Sequence, residues 1–228
     1  MAIPPPRLPH VAQLSPFYQR CPFRFSPIIE LSDSIKRKTN RYCFYRFNEF
    51  ASLRVCHNIR IPRHKVFQSI AQRGKTSMGG YGFKLHLVVN HLGEILALKV
   101  TPGNVSDREP ARELSKDLTG SLYGDKGYLS QELADDLAKM DLTFITKKRR
   151  NMKALVLDEW DKIMLKKRFI IETINGQLKT LSQIEHSRHR SITGFLLTVL
   201  SGLIAYCLKE KKPSLKIFYS EENISAMA

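Results

Sequence analysis

Cysteine is sparse, and its four copies are scattered. Cys21, Cys43, Cys56 and Cys207 include no Cys-x-x-Cys pair, which argues against a disulfide framework and a strong zinc site. Acidic residues are also few: 21 Asp and Glu stand against 37 Lys and Arg, for a formal net charge of +16 and a pI near 9.8. That balance favours a polyanionic partner, nucleic acid first. Membrane-surface and ribosome binding remain open on composition alone. No clean apolar stretch reaches membrane-span length. The longest run, residues 192–208, is broken by Thr193, Gly194, Thr198, Ser201 and Gly202 and reads as a buried helix. Residues 1–10 are rich in proline and lack the apolar segment of a cleavable signal peptide. The expected setting is intracellular, reducing and cytoplasmic, with no membrane partner.

What is present suffices for one good-sized domain. The chain has 228 residues, and its 43% apolar content is ordinary for a globular protein. Residues 1–47 show neither helical nor strand periodicity and are expected to be irregular. A domain spanning 48–209 and a polar tail, 210–228, follow. Within the domain, 49–58 reads as a strand with Leu53 and Val55 on one side. Residues 59–74 are strongly basic, through Arg60, Arg63, His64, Lys65 and Arg73, and suit either a solvated surface or phosphate contact. Residues 81–90 alternate, with Phe83, Leu85, Leu87 and Val89 on one face, and 94–100 return as the second strand of a hairpin. Ser106 or Asp107 is placed to cap a helix running to about Leu118. Residues 121–124 and 142–146 read as strands, 129–140 as a helix, 158–181 as one long helix, and 191–208 as the last.

The long helix carries the first chemical signal. At about 100° per residue, Arg168, Glu172, Asn175 and Lys179 share a narrow arc. Ile171, Ile174, Leu178 and Leu181 form a separate apolar stripe. Upstream, Asp125 closes an internal strand in Leu122-Tyr-Gly-Asp125-Lys-Gly-Tyr128. Two carboxylates brought together in this way suit hard cations such as Mg²⁺ or Mn²⁺, which take oxygen ligands. Arg168, Lys179 and Lys126 are candidates to hold a polyanion beside them, and Lys147, Lys148, Arg149 and Arg150 form a basic loop. His186-x-x-His189 lacks the glutamate of a metalloprotease helix, and Gly79-Gly-Tyr-Gly82 lacks the Lys-Ser/Thr of a phosphate loop.

Leu122-Tyr-Gly-Asp125-Lys-Gly-Tyr128 followed by Arg168-x-x-x-Glu172-x-x-x-x-x-x-Lys179 resembles the core of the DDE transposases of bacterial insertion sequences. Val55-Cys-His-Asn58-Ile-Arg-Ile, Gly82-Phe-Lys-Leu-His86, Thr101-Pro-Gly-Asn104 and Ile184-Glu-His186-Ser-Arg188 add to the likeness, which covers residues 53–208. The resemblance implies an α/β ribonuclease-H-like fold, a mixed sheet flanked by helices with a catalytic helix and an apolar C-terminal helix. It implies Asp125 and Glu172 as catalytic residues and metal ligands, Arg168 and Lys179 against DNA, Asp107 close by, and a homo-oligomer acting on insertion-sequence ends and target DNA.

One position departs from the family pattern. The first catalytic aspartate usually falls in an Asp-Ser pair four residues before the leucine that corresponds to Leu53, and Glu49 stands there instead. Glutamate can ligate Mg²⁺, but its extra methylene shifts the carboxylate by about a bond length, and displacements near 1 Å cost roughly a hundredfold in rate. The expected function is DNA transposition by cleavage and strand transfer, impaired at Glu49. The alternative is a non-catalytic DNA-binding remnant.

Overall fold

The sheet is built around β1, Tyr45–Cys56, in a computed structural model that describes residues 45–74, 80–147, 157–186 and 189–215. Residues 1–44, the loop residues Lys148, Arg149 and Arg150, and the tail beyond residue 215 lie outside the described residues. A 3₁₀ turn over Asn58–Arg63 leads to the short β2, Gln72–Arg73, and then to the hairpin of β3, Tyr81–Asn90, and β4, Ile95–Pro102. Helix α1, Arg108–Leu114, precedes β5, Gly120–Gly124. A 3₁₀ turn over Lys126–Tyr128 and helix α2, Gln131–Ala138, lead to β6, Leu142–Thr146. Three helices complete the described chain: α3, Glu159–Lys167, α4, Phe169–Thr180, and α5, Ile192–Leu208.

The strands lie in the order β4-β3-β1-β5-β6, with β2 extending the β3 edge. β1, β3 and β4 pair antiparallel, while β5 and β6 run parallel to β1. Each parallel step needs a crossover, and α1 and α2 supply them. Side chains alternate between two cores. Phe47, Ala51, Leu53 and Val55 of β1 and Tyr123 of β5 pack with Ile170, Ile171, Ile174 and Leu178 of α4 and Phe195, Val199 and Leu203 of α5. Leu122 and Val88, on the opposite face, meet Ala111 and Leu114 of α1 and Leu133 and Leu137 of α2. The sheet is therefore covered on both sides, as the α/β reading expected.

β3 and β6 match their expected spans residue for residue, and α5 begins one residue inside its own, with Ser191 capping it by accepting from the Gly194 N–H. Other boundaries differ. β1 begins at Tyr45, ahead of both the expected strand and the expected domain start, because Arg46 and Asn48 are buried polar residues that break the apolar pattern. α1 ends at Leu114, and Asp107 makes no side-chain cap: its carboxylate instead accepts from Lys84 Nζ at 2.7 Å.

The expected long helix is two. The break falls at Arg168, where the Ile171 N–H reaches the Arg168 carbonyl in a tighter, 3₁₀-like turn. Leu181, expected in the buried stripe, is 70% exposed because α4 ends at Thr180 and Gln183 turns the chain with φ 51°; Ile170 takes the buried place. Asn175, expected on the polar arc, is buried. Among the described residues, no helix is long and apolar enough to cross a membrane.

Candidate active site

The strand register brings the first two acids together. Phe47 pairs with Tyr123 and Asn48 with Gly124 across the parallel β1–β5 ladder. Glu49 and Asp125 are the residues that follow this last pair on each strand. Because side chains alternate, Glu49 shares the face of Phe47 and Tyr123, whose rings lie 5.7 Å apart. That face is the one α4 covers, and α4 carries Glu172 in its first turn.

Arg168, at the α3–α4 junction, joins all three carboxylates. Its Nη1 donates to Glu49 Oε2 at 2.9 Å. Its Nη2 lies 3.2 Å from Glu172 Oε1 and 3.5 Å from Asp125 Oδ1. The Arg168 side chain is only 17% exposed, whereas those of Asp125 and Glu172 are about half exposed, at 52% and 55%. Burial pushes the Glu49 carboxyl above its ordinary range, against the pull of Arg168, and the charges of Glu172 and Asp125 push the same way as burial. A cleft of about 330 Å³ opens over the cluster, lined by Asp125, Glu172, Arg168, Lys126, Lys147 and Phe169 among others.

The remaining candidate residues divide. Lys126 and Lys147 face the cleft. Lys179 does not line it: its ammonium pairs with Glu185 at 2.6 Å, and Glu185 also accepts from the Arg54 backbone N–H at 3.2 Å. Asp107 is held by Lys84, and its charge, after burial, raises the pKa of the Tyr128 phenol, as do those of Glu49 and Asp125. Tyr128 and Tyr123 of the same motif carry no chemical signal of their own in the sequence. Tyr128 is buried and stays protonated, and Tyr123 donates to Asp161 at 2.9 Å, tying β5 to α3. His86 is wholly buried against Thr101 Oγ1 at 2.8 Å, and burial lowers its pKa to about 3, so it is a neutral core residue.

Three oxygen donors of this kind suit a hard divalent ion. Among the described residues, no three His, Cys, Asp or Glu side chains already stand together at metal-holding distance. In this arrangement the guanidinium lies between the carboxylates. The donor chemistry fits a divalent metal, with Arg168 as the competing cation.

A family model described as a transposase DDE domain matches residues 43–192, about two-thirds of the chain. The chain belongs to that family. The transposase domain thus takes in every element from β1 to α4, including Glu49, Asp125, Arg168 and Glu172. Among solved structures, a cryo-EM structure titled as a piggyBac transposase synaptic complex with hairpin DNA shares 12% identity with a TM-score of 0.49. The match covers 78% of this chain and 49% of that one, so this chain spans about half of that transposase. No curated protein matches the sequence. The mixed sheet flanked by helices bears out the fold class that the sequence motifs implied.

Proposed function

We propose that this chain is the catalytic domain of a DNA transposase of the bacterial insertion-sequence kind, weakened by glutamate at position 49. The observation that carries the reading is the convergence of Glu49, Asp125 and Glu172, from three separate elements, on Arg168. Asp125 and Glu172, the two exposed carboxylates, are the residues to hold Mg²⁺ or Mn²⁺. Bound there, such an ion would supply Lewis-acid activation of the attacking oxygen and charge relief at the leaving one. Lys126 and Lys147 bind the DNA backbone at the cleft, and Lys148, Arg149 and Arg150 are further DNA-binding candidates by their charge. Glu49 stands in the place of the first acid, held to the same guanidinium as Asp125 and one methylene too long. Element-end and target DNA are the substrates, a homo-oligomer on DNA the working form, and the cytoplasm its setting.

A second reading, a DNA-binding remnant without turnover, is favoured by the tie between Glu49 and Arg168, which leaves the first acid engaged. Cleavage of labelled element-end DNA in Mg²⁺ or Mn²⁺ separates the two. Glu49→Asp is expected to raise activity above the native chain, and Asp125→Ala to abolish it. Equal cleavage by all three proteins overturns the catalytic assignment. DNA binding that survives Asp125→Ala, with no cleavage by any protein, establishes the remnant.

A further inference from the structure

We infer that Arg168 is an exchangeable internal cation, displaced from the carboxylate cluster by the divalent ion and thereby released to hold a DNA phosphate, so that metal and DNA bind cooperatively. This rests on the metal-site reading above and deepens it. The bonding of Arg168 is asymmetric. Its contact to Glu49, at 2.9 Å, has the length of a charge-assisted hydrogen bond. Its other terminal nitrogen is shared between Glu172 at 3.2 Å and Asp125 at 3.5 Å, both longer than such a bond prefers. The loosely held carboxylates are the two exposed ones, and they face the cleft.

All three carboxylates draw on this one guanidinium. A guanidinium supplies one charge, and a divalent ion supplies two at shorter ligand distances. Once the ion takes Asp125 and Glu172, the Nη2 side of Arg168 loses its partners while its Nη1 side keeps Glu49 as a pivot. The freed edge turns toward the cleft, where Lys126 and Lys147 already favour a polyanion. Arginine suits this exchange, since its planar fork pairs equally with carboxylate and phosphate. By linkage, metal then raises DNA affinity by the same factor that DNA raises metal affinity.

The test titrates Mn²⁺ into the full chain and into Arg168→Ala, Arg168→Lys and Lys166→Ala, with circular dichroism confirming the fold. Lys166 also lines the cleft but forms no ion pair with any of the three carboxylates, so it reports the general effect of removing a nearby charge. Arg168→Ala is expected to bind Mn²⁺ about tenfold tighter than the native chain, and Lys166→Ala within about twofold of it. Arg168→Lys keeps the charge but cannot bridge the acids, and should fall between, which preserves the test if the alanine variant fails to fold. In a second arm, Mn²⁺ should tighten native binding of a labelled DNA duplex about tenfold, and this gain should vanish in both Arg168 variants. Mn²⁺ affinities equal in Arg168→Ala and Lys166→Ala, or a DNA gain retained without Arg168, overturn the exchange while leaving the metal site intact. No Mn²⁺ binding by any of the proteins overturns the metal site itself, and the exchange with it.

Discussion

Position 49 shows how much one residue can carry. Its place before Leu53 marks it in the sequence, and in the structure it is held to the same guanidinium as Asp125. What the sequence could not show is that Arg168 turns inward to meet it, since helical spacing alone puts Arg168 and Glu172 on a solvated arc. Gly82 poses a plainer constraint. A β-carbon there would sit 2.0 Å from the Leu53 carbonyl oxygen, where β1 bulges between Arg54 and Cys56. Gly82→Ala should therefore destabilise the domain by at least about 2 kcal/mol, read from urea unfolding. An unchanged midpoint would show that the bulge relaxes freely. His86 gives a pH dependence. Its folded pKa, about 3, lies below the unfolded 6.5, so the unfolded chain binds the extra proton between those values. Its contribution to stability is intact above about pH 6.5 and is lost as pH falls toward 3. By about pH 4 the loss should reach roughly 3 kcal/mol, and His86→Gln, which keeps a donor for Thr101, should flatten the curve. Parallel pH profiles for the two proteins would remove His86 as the cause.

Among the elements, β3 was legible although His86 and Asn90 are buried in it, because its apolar residues still alternate, whereas β1 opens on buried polar residues that hide its start. β3 and β6 alternate or run apolar throughout and matched their expected spans. β1 starts early because Arg46 and Asn48 enter the core, and the α3–α4 break contains neither glycine nor proline to announce it. The apolar last helix packs into the core, and its docking shows how. Gly202 lets α5 approach the turn after α4 closely, since a β-carbon would meet Ile184 Cγ2 at 2.4 Å. At its far end, the Tyr206 hydroxyl donates to the Gly93 carbonyl at 2.7 Å, fixing α5 to the β3–β4 turn. Tyr206→Phe should cost about 1 kcal/mol by removing that hydrogen bond, without changing DNA binding. A change in DNA affinity instead would mean that α5 reaches the binding surface.

At the scale of the whole molecule, α4 carries the acid cluster at its start and a further ion pair near its end. α4 runs beside β1: Arg168 joins its start to Glu49, and Lys179 meets Glu185, which also takes the Arg54 backbone. Lys179 lies seven residues past Glu172, roughly 10 Å along the helix axis. Later in the chain than Arg54, Arg60, Arg63, Lys65 and Arg73 are exposed as well. If DNA is seated in the cleft over Lys126 and Lys147 as proposed above, Lys179 and Arg54 are the next cations it could reach, once Glu185 releases them. Two changes test this track from opposite sides. The double variant Lys126→Ala, Lys147→Ala should make the log–log salt dependence of DNA binding shallower by about 2, near 0.9 for each phosphate no longer neutralised. Glu185→Gln, by freeing Lys179 and Arg54, should tighten binding at low salt and steepen the slope by about 1 to 2. An unchanged slope in Glu185→Gln would confine the DNA to the cleft and leave the Lys179–Glu185–Arg54 link as a strut between α4 and β1.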